Sequence, residues 1–361
     1  NMNKPALIDR RAAIRQMSAI TAFVASATVQ SGFADEPVKR SGLGIVMYDC
    51  NLRRKWMKKQ DPSVNLFDPL TFVQHCRSLG AGGAQVALGS LSRRDCDNLR
   101  QFADEHDLYI ETIVKPPRDR DDLSRFDAEM KAARDAGAKA ARTVIIPGRR
   151  YEYFNSYADF KAAAKLGHAM VERALPVVEK YEVPLAIENH KDERIDDRVA
   201  LLERINSPMV GACVDTGNSF SLLDDVYGSI EGLAPFACSV HFKDQSLSEY
   251  DDGFLLGDIP LGQGSFDLKR IVEIIRTAKP NLQFSLEVIT RDALKVPCLT
   301  KEYWRSVAEP TGADLARTLQ FVRRNSAKAI SVTSLPLIDQ VKLEDINIAS
   351  SLNYAQRELG L

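Results

Sequence analysis

From residue 43 onward the chain alternates between two hydrophobic rhythms. Short apolar runs recur as "LGIVMYD" (43–49), "GAQVALG" (83–89), "LYIETIV" (108–114), "ARTVIIPG" (141–148), "PLAIENH" (184–190), "VGACVDTGN" (210–218), "CSVHFKD" (238–244) and "FSLEVIT" (284–290). Between them lie stretches whose apolar residues return every three to four positions, such as "DLSRFDAEMKAARDAGA", "FKAAAKLGHAMVERALPVVEKYE" before Pro184 and "SFDLKRIVEIIRTAKP" closed by Pro280. Eight strand-plus-helix units predict an α/β fold, a parallel (β/α)8 TIM barrel, with a doubly wound open sheet as the alternative. No glycine-rich phosphate-binding turn follows any of the strands, which counts against the open sheet.

Alternate residues of a barrel strand point inward, and the active site of such a barrel sits at the C-terminal strand ends. In the last four strands this period of two puts Glu188, Asp215, His241 and Glu287 on one side, each two positions after a small residue: Ala186, Cys213, Ser239 and Ser285. A single inward histidine reads as a hydrogen-bonded core group, and an aspartate before Thr-Gly-Asn as a cap. Four such residues at equivalent strand ends read as one inward layer near the barrel mouth. Three carboxylates pressed together raise one another's pKa unless a cation compensates, so one divalent metal ion is expected there. Oxygen donors with a single imidazole favour Mn2+, with Mg2+, Co2+ or Zn2+ as alternatives. His190 points inward in the same register, toward a substrate hydroxyl or a neighbouring loop. Asn218, Lys243 and Glu111 are also assigned to the substrate.

The stretches "LAIENH" (185–190), "VGACVDTGN" (210–218), "VHFKD" (240–244), "PLGQGSFD" (260–267) and "FSLEV" (284–288) resemble the sugar phosphate isomerase/epimerase superfamily, the xylose isomerase-like TIM barrels. The likeness extends over most of residues 43–330. It implies Glu188, Asp215, His241 and Glu287 as metal ligands, the same four that the periodicity selects, and Glu188 and Glu287 as acid/base groups on the two faces of an enediolate. A cation that chelates a carbonyl and its adjacent hydroxyl acidifies the intervening C–H, and opposed carboxylates then move the proton or invert a centre. The chain also departs from the ketose 3-epimerases. Asn218 stands where they place a histidine, and their further acidic partner falls on Arg194. "HFKD" is closer to branches acting on inososes or keto-sugars, with Lys243 polarising a carbonyl or binding an acidic group.

Composition narrows the partner. Of 361 residues, 45% are hydrophobic and 27% charged, with a formal charge of −1 and no long basic block, so nothing favours nucleic acid and a small-molecule carbohydrate is expected. Only five histidines are present, and His75, His106 and His168 fall in helical segments, too few at strand ends for a trinuclear DNA-repair centre. Six cysteines lack C-x-x-C spacing, so neither a zinc ribbon nor a disulfide scaffold follows.

Residues 1–34 are organised differently: Lys4, Arg10, Arg11 and Arg15 precede the mild apolar stretch "MSAITAFVASATV" and then small residues. This is the order of an export signal with a twin-arginine-like pair, leading to the periplasm; an amphipathic first helix in a cytoplasmic protein is the alternative. Residues 35–330 then form the catalytic barrel, and 331–361 a C-terminal extension that either packs on it or serves a homo-oligomer. No run approaches the length of a membrane span. The expected activity is metal-dependent isomerisation or epimerisation of a keto-sugar. Its alternatives are a lyase or dehydratase acting on a 3-keto-glycoside or inosose, and a non-catalytic sugar-binding barrel.

Overall fold

Each of the eight apolar runs forms a strand, and all eight lie in one closed parallel barrel. The strands are β1 (Gly44–Val46), β2 (Gly83–Val86), β3 (Tyr109–Ile113), β4 (Ala141–Thr143), β5 (Leu185–Glu188), β6 (Val210–Asp215), β7 (Ala237–Phe242) and, after an insertion, β10 (Ser285–Leu286). They close in the order β1-β10-β7-β6-β5-β4-β3-β2. The chain is seen here in a computed structural model that describes residues 41–327 and 331–361; the expected export signal at 1–34 lies outside them.

Two hydrophobic populations explain the register. Large aliphatics and Phe242 belong to a jacket between strands and helices, while Ala140, Ala186 and Cys213 form a separate small cluster inside the barrel. Strands buried on both faces read as nearly continuous apolar runs, and the side that must fit the narrow interior carries the small residues. The bottom is plugged by Tyr109, whose hydroxyl donates to the Phe284 carbonyl at 2.5 Å and accepts from the Gly44 amide at 2.9 Å. Glycine at 44 and 83 makes room for this ring: a Cβ there would lie 2.2 Å from the Tyr109 hydroxyl or 2.4 Å from the ring.

Two strands are shorter than the apolar runs that predict them. The first run leaves the sheet at Val46 and turns through a 3-10 segment, Met47–Cys50, and the last keeps only Ser285–Leu286. Glu287 is still held by its amide, which donates to the Phe242 carbonyl at 3.0 Å. Beyond the barrel, β8 (Asp244–Tyr250), β9 (Gly253–Ile259) and β11 (Leu294–Val296) form an antiparallel sheet that the sequence reading lacks. Its signal is the Asp-Asp-Gly at 251–253 between two alternating runs. Gly253 has φ 151°, and a Cβ there would lie 2.2 Å from the Val296 carbonyl.

The tail packs on the barrel. Helix Leu337–Tyr354 places Glu344 over the start of helix Asn51–Gln60, where its carboxylate accepts the amides of Leu52 and Arg53, both at 2.8 Å. Asn347 donates to Thr290 at 2.9 Å, and the Ser41 hydroxyl donates to the Leu361 carbonyl at 3.1 Å. All six cysteines are free thiols, and no helix among the described residues is long and apolar enough to cross a membrane.

Candidate active site

The barrel register brings Glu188, Asp215, His241 and Glu287 together at the C-terminal strand ends. Asp215 and Ser285 are both paired with His241 across the ladder, so Asp215 and Glu287 flank the imidazole on either side. One donor atom from each of the four lies within 4.8 Å of the others, and all four residues are buried. Asn189, on the opposite side of its strand, bolts β5 to β6: it accepts the Asp215 amide and donates to the Asp215 carbonyl, both at 2.8 Å.

The protonation of His241 follows from a chain of amides and acids beneath it. The Gln85 amide nitrogen donates to Glu111 at 2.7 Å, which turns the Gln85 oxygen toward His241 Nε2 at 2.8 Å. Nε2 must therefore carry a proton, and Nδ1 is left facing a Glu188 oxygen at 3.3 Å and a Glu287 oxygen at 3.4 Å, with no hydrogen-bond partner. An imidazole lone pair aimed at two carboxylates is repulsive unless a proton or a cation stands there. Burial alone would lower the ring's pKa; Cys213, Glu287 and Glu188 more than offset this and raise it. Asp215 accepts the Gly217 and Asn218 amides with Oδ1, and its other oxygen faces the Lys243 ammonium at 2.8 Å. One imidazole nitrogen and three carboxylates form a donor set that fits a hard or borderline divalent ion. Cys213 also lies close to Glu188 and His241, but burial raises its thiol pKa, which disfavours the thiolate a metal would need.

Above this cluster opens a cavity of about 410 Å³ whose lining includes Glu287, Lys243, Asn218 and His190. Lys243 Nζ lies 2.8 Å from Asp215 and 2.5 Å from Glu287. Asn218 donates to Glu188 at 3.0 Å, and the His190 imidazole reaches to 4.0 Å from the same carboxylate with its Nδ1 unpartnered. The two glutamates are unlike. Glu287 lines the cavity, whereas Glu188 is fully buried and its second oxygen is gripped by the Arg142 guanidinium, Nε at 2.5 Å. Burial would raise the Glu188 pKa, but Arg142 and His241 outweigh it and the net shift is downward.

Glu111 does not reach the substrate space. Its carboxylate is buried below the cluster, accepting from Gln85, from Ser239 at 2.8 Å and from Ser285 at 3.3 Å, because it shares the layer of these two serines, which precede His241 and Glu287 by two residues on their strands. Arg194 pairs with Asp224 at 2.6 Å and is not among the cavity residues. Gln85, Arg142 and Lys191 join the site without having been selected by the sequence reading. The signal for the first two is present, since Gln85 is the lone polar residue of its apolar run and Arg142 the lone charged residue of its own.

Comparison with known proteins places these features in context. A family model described as a xylose isomerase-like TIM barrel matches residues 73–324. The 3-oxo-isoapionate decarboxylase of Pectobacterium atrosepticum is 27% identical over 214 residues, 58% of this chain and 73% of that protein. Among solved structures, a probable 3-DHS dehydratase, AsbF, from Bacillus anthracis superposes with a TM-score of 0.52 at 14% identity, covering 74% of this chain and 96% of that one. A xylose isomerase-like TIM barrel protein from Mycobacterium smegmatis in complex with magnesium gives 0.51 at 14% identity, covering 79% and 97%.

Proposed function

The chain belongs to the xylose isomerase-like TIM barrel family, and from that premise we propose that it is a divalent-metal-dependent enzyme acting on a keto-sugar through an enediolate. The observation that carries this reading is the unpartnered Nδ1 of His241, which faces Glu188 and Glu287 in a buried cluster whose third carboxylate is Asp215. Glu188, Asp215, His241 and Glu287 would hold the ion. Its chemistry is to acidify a C–H flanked by a carbonyl and a hydroxyl, and Mn2+ remains first among the candidates.

The chain's own groups divide the remaining work. Glu287 is the one of the three carboxylates that lines the cavity, so it moves the proton. Lys243, anchored between Asp215 and Glu287, offers an N–H to the developing oxyanion. Asn218 and His190 orient hydroxyls. Glu188, tied to Arg142 and Asn218, acts as a ligand and gives up the acid/base role that the family resemblance would assign it.

Isomerisation or epimerisation then draws its second proton-moving group from His190, which lines the cavity and whose pKa is lowered chiefly by burial, leaving a neutral ring. The Arg142–Glu188 pair favours a second reading, a lyase that breaks a bond next to the enediolate and needs only one acid. The Pectobacterium relative, a decarboxylase by name, is in line with that reading. An export signal at residues 1–34, the reading their sequence supports, would put the reaction outside the cytoplasm.

Proton NMR in D2O with Mn2+-loaded and EDTA-treated protein, across a panel of ketoses, inososes, 3-keto-glycosides and 3-oxo sugar acids, tests the proposal. Metal-dependent deuterium uptake with the skeleton retained establishes isomerase or epimerase chemistry; loss of CO2, water or an aglycone establishes the lyase. Glu287→Gln is expected to slow either reaction by about 10²–10⁴-fold with little change in substrate affinity. Unchanged turnover in that variant removes the acid/base assignment.

A further inference from the structure

We propose that the cavity is built for an anionic sugar, with Lys191 and the neighbouring Arg291 and Arg149 forming a subsite for a carboxylate or phosphate group of the substrate. This rests on the metal-dependent reading above and narrows its substrate class.

Lys191 follows the end of β5 and lines the cavity together with Arg149 and Arg291. Its backbone adopts φ 59°, a left-handed conformation uncommon for a residue with a side chain, and is pinned there by the Arg150 amide, which donates to the Lys191 carbonyl at 3.0 Å. The residue is only 6% exposed. Its Nζ donates to the Asn218 side-chain oxygen and forms no ion pair with any described residue. A buried ammonium without a counter-ion is costly, and proteins retain one where a ligand supplies the missing charge.

The charge balance of the surroundings points the same way. Glu188, Asp215 and Glu287 face Lys243 and Arg142, which lie in ion-pair contact with them. Once a dication joins that cluster the three carboxylates are outnumbered by one positive charge, and Lys191 adds another. Arg291 and Arg149 do not remove the excess. Each spends one contact on its own partner, Asp258 at 3.2 Å and Glu152 at 2.9 Å, and a guanidinium has five N–H donors to offer. Both are partly solvent-exposed, as groups that receive an incoming anion must be.

The test uses the full chain loaded with Mn2+ and matched ligand pairs measured by calorimetry: xylonate against xylitol, gluconate against glucitol, and glucitol 6-phosphate as the phosphate arm. Each anionic member should bind at least about tenfold more tightly than its neutral counterpart. Lys191→Met should reduce that preference to about twofold or less, and Arg291→Gln should reduce it in part. A larger preference for the aldonates identifies a carboxylate subsite, and for glucitol 6-phosphate a phosphate subsite. Equal binding within the pairs, no binding of the anions, or full preference in Lys191→Met overturns the proposal. Lys191→Met should also melt no lower than the parent, whereas a lysine with a structural role would destabilise the fold on removal. Mn2+ binding followed by EPR on the same samples keeps the two readings apart: saturable Mn2+ binding without anion preference sinks the subsite alone, and absent Mn2+ binding sinks the metal-dependent function.

Discussion

Lys191 is the residue at which function and stability oppose each other most openly. Burial, then the charge of Lys243, pushes its pKa down to about 8, below the ordinary lysine value. Because the folded-state pKa lies below the unfolded one, the charged lysine costs stability at neutral pH, and that cost disappears as pH rises from about 8 through the unfolded value near 10.5. The shift corresponds to an order of ~3 kcal/mol. Lys191→Met should therefore raise Tm at pH 7, and the gain should shrink toward zero by about pH 10.5, as read by thermal melts across that range. A gain independent of pH would show that the methionine packs better and that charge is not the cause. Lys191 was illegible in the sequence because it lies past the strand, in "HKDER", where charged residues are ordinary; only the fold reveals that this one is buried. Glu188, Asp215, His241 and Glu287 were legible because burying a polar side chain within an apolar period-of-two run costs free energy that packing alone does not recover.

At the scale of elements, the strands were legible and the connection between β7 and β10 was not. Asp244 accounts for two of the motifs at once. Its carboxylate accepts the amides of Gly262 at 3.1 Å, Gly264 at 2.8 Å and Phe266 at 3.2 Å, so the end of "VHFKD" holds the loop "PLGQGSFD" closed over the β8–β9 hairpin. Glycine at 264 is required by this approach, since a Cβ would lie 2.2 Å from the Asp244 oxygen. Burial raises the Asp244 pKa to about 6 despite the amides that hold it down. Asp244→Ala removes the acceptor of four amides, two of them on the buried residues Gln245 and Phe266, and should cost about 2–4 kcal/mol in denaturant melts, with the loop 260–267 becoming the first segment to exchange amide hydrogens. A variant as stable as the parent, with the loop still protected, would show that the hairpin holds the loop without Asp244. The hairpin itself escaped the sequence reading because barrel logic assigns the chain after β7 to a helix, and this insertion postpones that helix to Leu268–Ala278.

The whole molecule places its chemistry at one end of the barrel and its structural plugs elsewhere. Tyr109 closes the bottom, the C-terminal helix caps helix Asn51–Gln60, and the antiparallel sheet contributes Leu294 to the cavity wall, with Arg291 just before it. The cluster beneath the cavity carries more cost than a stable apoprotein needs: three buried carboxylates, an imidazole Nδ1 directed at two of them, and two cations drawn in to compensate. The central claim is that a divalent ion belongs there, in the place that a proton on His241 Nδ1 fills without it. The most direct measurement is a Mn2+ titration of the EDTA-stripped full chain, followed by the EPR signal of the free ion, with His241→Leu and Asp215→Ala alongside. The account predicts saturable binding of one ion per chain, weakened about 100-fold or more in both variants. Undiminished affinity in His241→Leu, or no saturable binding by the parent protein, would contradict it.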